Sequence, residues 1–198
     1  MNIGQKSLLF GAHQLILHSI LVGVAWRRLY LRWPLPWEWA CIFIHDIGYW
    51  HTNDFTSLEA RNHPFLGARI ARRWFGTKGF DLVVGHSSRA AKIHKLPISK
   101  MCAADKMASL LMPRRLYLWL THNTGELQQY RIWAATNGYT WYNDLHFSGA
   151  HNWYYGCLIP ECIAKAKKHL VYINIIQFNT AHEYIQGVAK HVYAGRHC

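Results

Sequence analysis

Acid is scarce in this chain. Of 198 residues only ten are Asp or Glu, against 22 Lys and Arg, and the formal net charge is +12. A balance of this sign favours anionic ligands and speeds their capture without naming them. Free nucleotides, nucleic acid and acidic lipid all fit it. Cysteine is sparse and scattered: five residues (Cys41, Cys102, Cys157, Cys162 and Cys198), an odd number with no C-x-x-C pair. That argues for reduced, mostly buried thiols in a cytoplasmic protein rather than a disulfide framework. No apolar run reaches membrane-spanning length, because Arg27, Arg28 and Arg32 interrupt the longest. No clean apolar signal segment follows Lys6, so no signal peptide is expected. Internal repeats and low-complexity tracts are lacking, and strand patterning is nearly so.

What is present is helix after helix, in a chain of one-domain length with 51% apolar residues. Residues 5–33 carry apolar positions at three-and-four spacing, with Val22, Ala25, Trp26 and Leu29 in one stripe. Pro34-Leu35-Pro36 stops that helix. A second helix, about 37–47, is apolar on most sides and expected to be central, with Gly48 ending it. A polar loop spans 51–61. Pro64 then suits a first helical position, with His63 as N-cap, and Gly76 with Gly79 marks the turn after that helix. Further helices are expected at about 80–90 (holding His86), 99–111 (holding Asp105), 114–135 and, singly or as a pair, 160–192. The stretch 137–158, rich in Gly, Asn, Tyr, Trp and His, reads as irregular. Lys165-Ala166-Lys167-Lys168 reads as a solvated face. The ten Trp and eleven Tyr fit an aromatic core, with a membrane-facing patch or a base-stacking surface as the alternatives.

The pair His45-Asp46 ends the apolar run Cys41-Ile42-Phe43-Ile44. Both side chains are costly to bury unless something pairs with them, and a metal cation is the simplest partner. His18 lies upstream on the Val22–Leu29 face, and Asp105 interrupts an apolar helix face downstream. A lone histidine on such a face is more often a satisfied core residue than a ligand. Here three helices each place a metal-ligating group among apolar neighbours, and one shared cation would satisfy them all. His13 competes with His18. Five residues apart, the two point about 140° from each other on a helix, so one cation cannot easily take both.

The order His18 … His45-Asp46 … Asp105 resembles the HD-domain superfamily of metal-dependent phosphohydrolases. The flanks His18-Ser19-Ile20-Leu21-Val22 and Ile44-His45-Asp46-Ile47-Gly48 are similar to its first-histidine helix and its signature box. The likeness covers residues 13–112, about half the chain. It implies an all-α fold: a compact helical bundle over 1–135, with 136–198 as an irregular segment and C-terminal helices packed on the same domain. It also implies His18, His45, Asp46 and Asp105 as ligands. In branches that act on cyclic nucleotides or dinucleotides, positions like His63 and His86 supply a second metal, which Asp46 would bridge. The cyclic-dinucleotide branch shows paired histidines and a glutamate where this chain has His86-Ser87-Ser88-Arg89, which puts that substrate in doubt.

The mixed imidazole and carboxylate set suits one or two ions of Mn, Fe, Co, Ni or Zn, with Mg also open. The implied reaction is hydrolysis of a nucleotide or related phosphate ester by a metal-activated water, with Asp46 central. Arg89, Lys106 and, more weakly, His94 are candidate phosphate clamps. Asp54 and Glu59, in the loop after the signature box, are candidate general acid or base groups. Thr124-Gly125-Glu126 breaks the 114–135 helix and is a candidate part of the pocket lining. The alternatives are an HD-type di-iron oxygenase and a non-catalytic module binding nucleic acid. Homo-oligomerisation stays open.

Overall fold

The computed structural model describes residues 1–136, 154, 158–168 and 175–194, and every regular element among them is helical. The expected all-α class is what forms. The irregular stretch 137–158 lies almost wholly outside the described residues. In chain order the helices are α1 (Ile3–Phe10), α2 (Leu17–Tyr30), α3 (Pro36–Ile44), a 3-10 turn (Ile47–His51), α4 (Leu58–Arg61), α5 (Pro64–Val84), α6 (Ser88–Ile93), α7 (Lys100–Leu111), α8 (Arg114–Thr124), α9 (Glu126–Thr136), α10 (Ile159–Lys168) and α11 (Ile175–Ala194). No helix among the described residues is long and apolar enough to cross a membrane.

The core is built on α7. Its face of Met101, Ala104, Met107 and Ala108 is fully buried, and the alanines let α2 and α10 pack closely on either side of it. The expected stripe of Val22, Ala25, Trp26 and Leu29 is the α2 side of that contact, and all four are fully buried. Each large side chain so buried contributes about 1.5–3 kcal/mol. α11 covers α2 from outside. α3 is held at its start by Glu38, which accepts from the Leu35 backbone N–H at 2.7 Å and from both arms of Arg32.

Several boundaries depart from the sequence reading, each for a local reason. Residues 5–33 form two helices, broken across Gly11–Ile16, where Glu126 takes the Ala12 backbone N–H. α3 stops at Ile44, so His45 and Asp46 stand beyond its end. Gly48 does not end the helix. It sits in the 3-10 turn, where a Cβ would lie 2.0 Å from the His63 carbonyl oxygen. The loop 51–61 contains the short α4, capped by the Ser57 hydroxyl. His86 lies in the turn between α5 and α6 rather than inside a helix. Gly125, at φ +84°, separates α8 from α9 as its sequence context suggested.

The most consequential backbone feature is at Gly76. Its φ of +67° and ψ of −153° reverse the chain within α5, a conformation almost restricted to glycine. A straight helix of that length would hold its ends about 30 Å apart. Instead His63 and His86, on either side of α5, bring their Nε2 atoms to 3.0 Å. Apart from the adjoining backbone and chain neighbours, no atom of the described residues stands within 4 Å of a Cβ placed on Gly76, so substitution there acts through backbone conformation. Gly76→Ala is expected to cost about 1–3 kcal/mol in urea denaturation, while Thr77→Ala on the exposed surface beside it stays within about 0.5 kcal/mol.

Candidate metal centre

Three chain segments end their helices at one point, and the same device fixes a histidine in each. At a helix C-terminus the last carbonyls have no partner within the helix. The Nδ1 of His45 bonds the Ile42 carbonyl at 2.6 Å, that of His63 the Ala60 carbonyl at 2.6 Å, and that of His86 the Val83 carbonyl at 2.5 Å. A carbonyl only accepts, so each Nδ1 carries a proton and each ring turns its Nε2 inward. The C-terminal ends of α3 and α5 add partial negative charge at the same place, which favours a cation.

Asp46 stands between these rings. Its Oδ2 lies 3.2 Å from His45 Nε2 and 3.6 Å from His18 Nε2. Its Oδ1 lies 3.3 Å from His63 Nε2 and 3.5 Å from His86 Nε2. From α7, Asp105 Oδ1 reaches His18 Nε2 at 3.0 Å and His45 Nε2 at 3.7 Å. Two groups result, His18 with His45, Asp46 and Asp105, and Asp46 with His63 and His86. All six residues are buried, and within each group the donor atoms lie within 4.8 Å of one another. Either group can hold a metal ion.

Two observations fit a cation better than a network of hydrogen bonds. His45 Nε2 and Asp46 Oδ2, 3.2 Å apart, are buried with no hydrogen-bond partner among the described residues. His63 and His86 set two bare Nε2 atoms face to face, an arrangement that a proton or a metal must bridge. Burial drives His63 down to about 4 against the pull of Asp46, so the ring is neutral and ready to ligate. Burial opposes ionisation of both carboxyls. His45 nonetheless holds Asp46, and Lys106 holds Asp105, well below the usual carboxylate range. His45 is carried up to about 10, because Asp46 and Asp105 outweigh its burial.

A cavity of about 260 Å³ opens onto the centre. Arg61, Arg89, Lys106 and Lys165 lie on its lining with the ligating groups. Lys106 also bonds Asp105 Oδ2 at 2.5 Å, so it orients a ligand as well as facing the cavity. Of the other candidates, Asp54 accepts at 2.7 Å from both the backbone N–H and the hydroxyl of Thr56, which shapes its own loop. Asp54 does not line this cavity. Glu59 is exposed and away from it. His94 is exposed too, packed on Phe65 with ring centroids 4.4 Å apart.

The competition between His13 and His18 falls to geometry. His18 joins the ligand group, while His13 bonds through Nδ1 to Ser7 Oγ at 3.0 Å and Glu126 Oε1 at 3.1 Å. Glu126 does not line the cavity. It lies fully buried, accepting also from Ser7, Ala12, Thr124 and Tyr130. Sequence reasoning did not find Arg61, Tyr49, Phe55 or Lys165. Arg61 and Tyr49 each stand within three residues of a ligand, which was a usable signal. Lys165 was read as part of a solvated face, yet only Lys167 and Lys168 of that run are exposed.

No family model matches the chain, and no curated protein or solved structure matches it either.

Metal and proton compete for the same atoms here. Without metal, the His45 pairing stabilises the fold fully below the usual imidazole pKa and is lost as pH rises through about 10. The carboxylate pairings act in the opposite sense, present above the usual carboxylate range and lost on acidification. A divalent ion must displace the His45 proton. Binding should therefore release protons and tighten with rising pH, up to about tenfold per unit while one proton is displaced. Titration calorimetry in buffers of different ionisation enthalpy measures that release directly.

Proposed function

We propose that this chain is a metal-dependent phosphohydrolase of the HD-domain type, cleaving a phosphate ester in the cavity above His18, His45, Asp46 and Asp105. The single observation that carries the reading is Asp46, with one carboxylate oxygen toward His18 and His45 and the other toward His63 and His86. A carboxylate set in this way suits two ions about as well as one. The donor set of imidazoles and carboxylates suits Mn, Fe, Co, Ni or Zn, with Mg less favoured by the histidines.

When bound, such an ion neutralises phosphate charge and lowers the pKa of a water to near neutrality. The chain's own residues do the rest. Asp46 and Asp105 hold negative charge deep in the site, and His45, His63 and His86 are held in one tautomer by backbone carbonyls. Lys106 fixes Asp105 while presenting positive charge to the cavity. Arg61 and Arg89 line the cavity as candidate clamps for phosphate oxygens, with the two-pronged geometry such oxygens prefer.

Metal analysis of purified protein, followed by a phosphate-release screen, tests the reading. Asp46→Ala and Asp105→Ala should each strip bound metal and lower kcat/KM by at least about 10³-fold, equivalent to several kcal/mol of charge stabilisation. Lys106→Met, which removes the donor on Asp105 Oδ2, should weaken metal binding about 10–100-fold. Iron-dependent oxygen consumption without phosphate release would move the assignment to a di-iron oxygenase. Salt-dependent nucleic-acid binding that survives Asp46→Ala would move it to a binding module.

A further inference from the structure

Two tips of the chain stand side by side, away from the metal centre. Both ends of α5 reach the centre, through His63 and His86, so the reversal at Gly76 carries the middle of α5 outward. α3 likewise ends at the centre with His45 and begins on the far side, after the connection 31–35. At a helical rise of about 1.5 Å per residue, the tips lie roughly 13–18 Å from the ligands. The two touch each other. The rings of Trp37 and Phe75 have centroids 6.2 Å apart, and the Lys78 ammonium lies 4.9 Å from the centroid of Trp37.

Both tips expose large apolar side chains. Trp33 is 54% exposed and Trp74 60%, and Leu31 and Leu35 are exposed beside Trp33. Trp33 stacks along Trp39 at 6.4 Å, and Trp74 meets Phe75 edge-on at 6.2 Å. The charge around them has one sign. Arg72, Arg73 and Lys78 are exposed at the second tip, and Arg28 is exposed in the last turn of α2, which leads into the first. Residues 62–80 contain no acid. The carboxylate of the first tip, Glu38, is buried and answered by both arms of Arg32.

We propose that this face docks on an anionic lipid bilayer, with Trp33, Leu35 and Trp74 entering the headgroup region and the exposed arginines meeting lipid phosphates. The proposal stands apart from the phosphohydrolase reading. Charge complementarity and the kind of apolar group name the partner. An indole, apolar in its rings and polar at its N–H, suits the boundary between headgroups and hydrocarbon. A second copy of this chain on the same face would set Arg72 and Arg73 against their own equivalents, like charge against like. A nucleic-acid strand would meet the cations and leave Leu31 and Leu35 without apolar partners. A bilayer offers negative charge at its surface and hydrocarbon beneath, the order in which this face presents its cations and its side-chain tips.

Co-sedimentation with vesicles of phosphatidylcholine, with and without admixed phosphatidylglycerol, tests this. The wild type should sediment with the mixed vesicles and stay in solution with the neutral ones. Trp33→Ala with Trp74→Ala should weaken binding at least about tenfold, and Arg72→Gln and Arg73→Gln about fivefold each. Lys167→Gln with Lys168→Gln, a pair exposed at the end of α10, should change it less than about twofold, since short-range screening confines each charge to its own face. No binding to the mixed vesicles overturns the proposal. So does binding that the α10 pair weakens as much as the tip substitutions do, which is attraction by net charge alone. A dimer in analytical ultracentrifugation that the double tryptophan variant splits gives the face to a second copy and overturns it too. Thermal unfolding of each variant separates loss of this surface from loss of the fold.

Discussion

The centre depends on a hydrogen bond made three times, from the Nδ1 of a histidine to the carbonyl three residues before it. His45, His63 and His86 each take up a carbonyl at the close of a helical segment. The bond does two jobs with one proton. It adds a side-chain donor to a carbonyl at the helix end, and it places the Nδ1 proton so that Nε2 is aimed at the site. Helix termination and ligand orientation are therefore one event. Asp46 then has inward-turned ring nitrogens on both sides, and a chain so poor in acid concentrates two of its carboxylates, Asp46 and Asp105, at a single buried point.

Four basic side chains stand around that point. Lys106 is paired to a ligand, while Arg61, Arg89 and Lys165 line the cavity without a place in either ligand group. Burial and local pairing separate the protonation states of neighbouring groups. His63 is pushed down to about 4 and His45 up to about 10, although both face the same carboxylate. The difference follows from partners. Asp46 and Asp105 both support charge on His45, whereas His63 has Asp46 on one side and His86 on the other.

Much of the site was legible because buried charge is expensive. Histidine and aspartate interrupting apolar faces at 18, 45, 46 and 105 had few cheap explanations, and the structure brings all four together. The helical class was legible from periodicity. Residues set by tertiary structure were harder to read. Apolar spacing ran unbroken through Gly11–Ile16, and only Glu126, far away in sequence, shows why the chain turns there. His86 was placed inside a helix of about 80–90, yet it stands in the turn after α5, where its ring bonds the Val83 carbonyl. Asp54 looked like a free acid in a polar loop, but its short side chain finds Thr56 first. Phe55 carried no mark distinguishing a cavity wall from a core.

His18 and Asp105 are 87 residues apart in sequence and 3.0 Å apart in space. Their meeting requires α2 to have docked along α7, which encloses α3 to α6 in one long loop. Such contacts carry a high entropic cost of closure and form late relative to local helices. An ion shared by His18 and Asp105 would be a cross-link between distant parts of the chain, able to act only after the fold has registered them. The candidate ligands would thus also fasten the docking of α2 on α7, since only the registered fold brings them within reach of one ion.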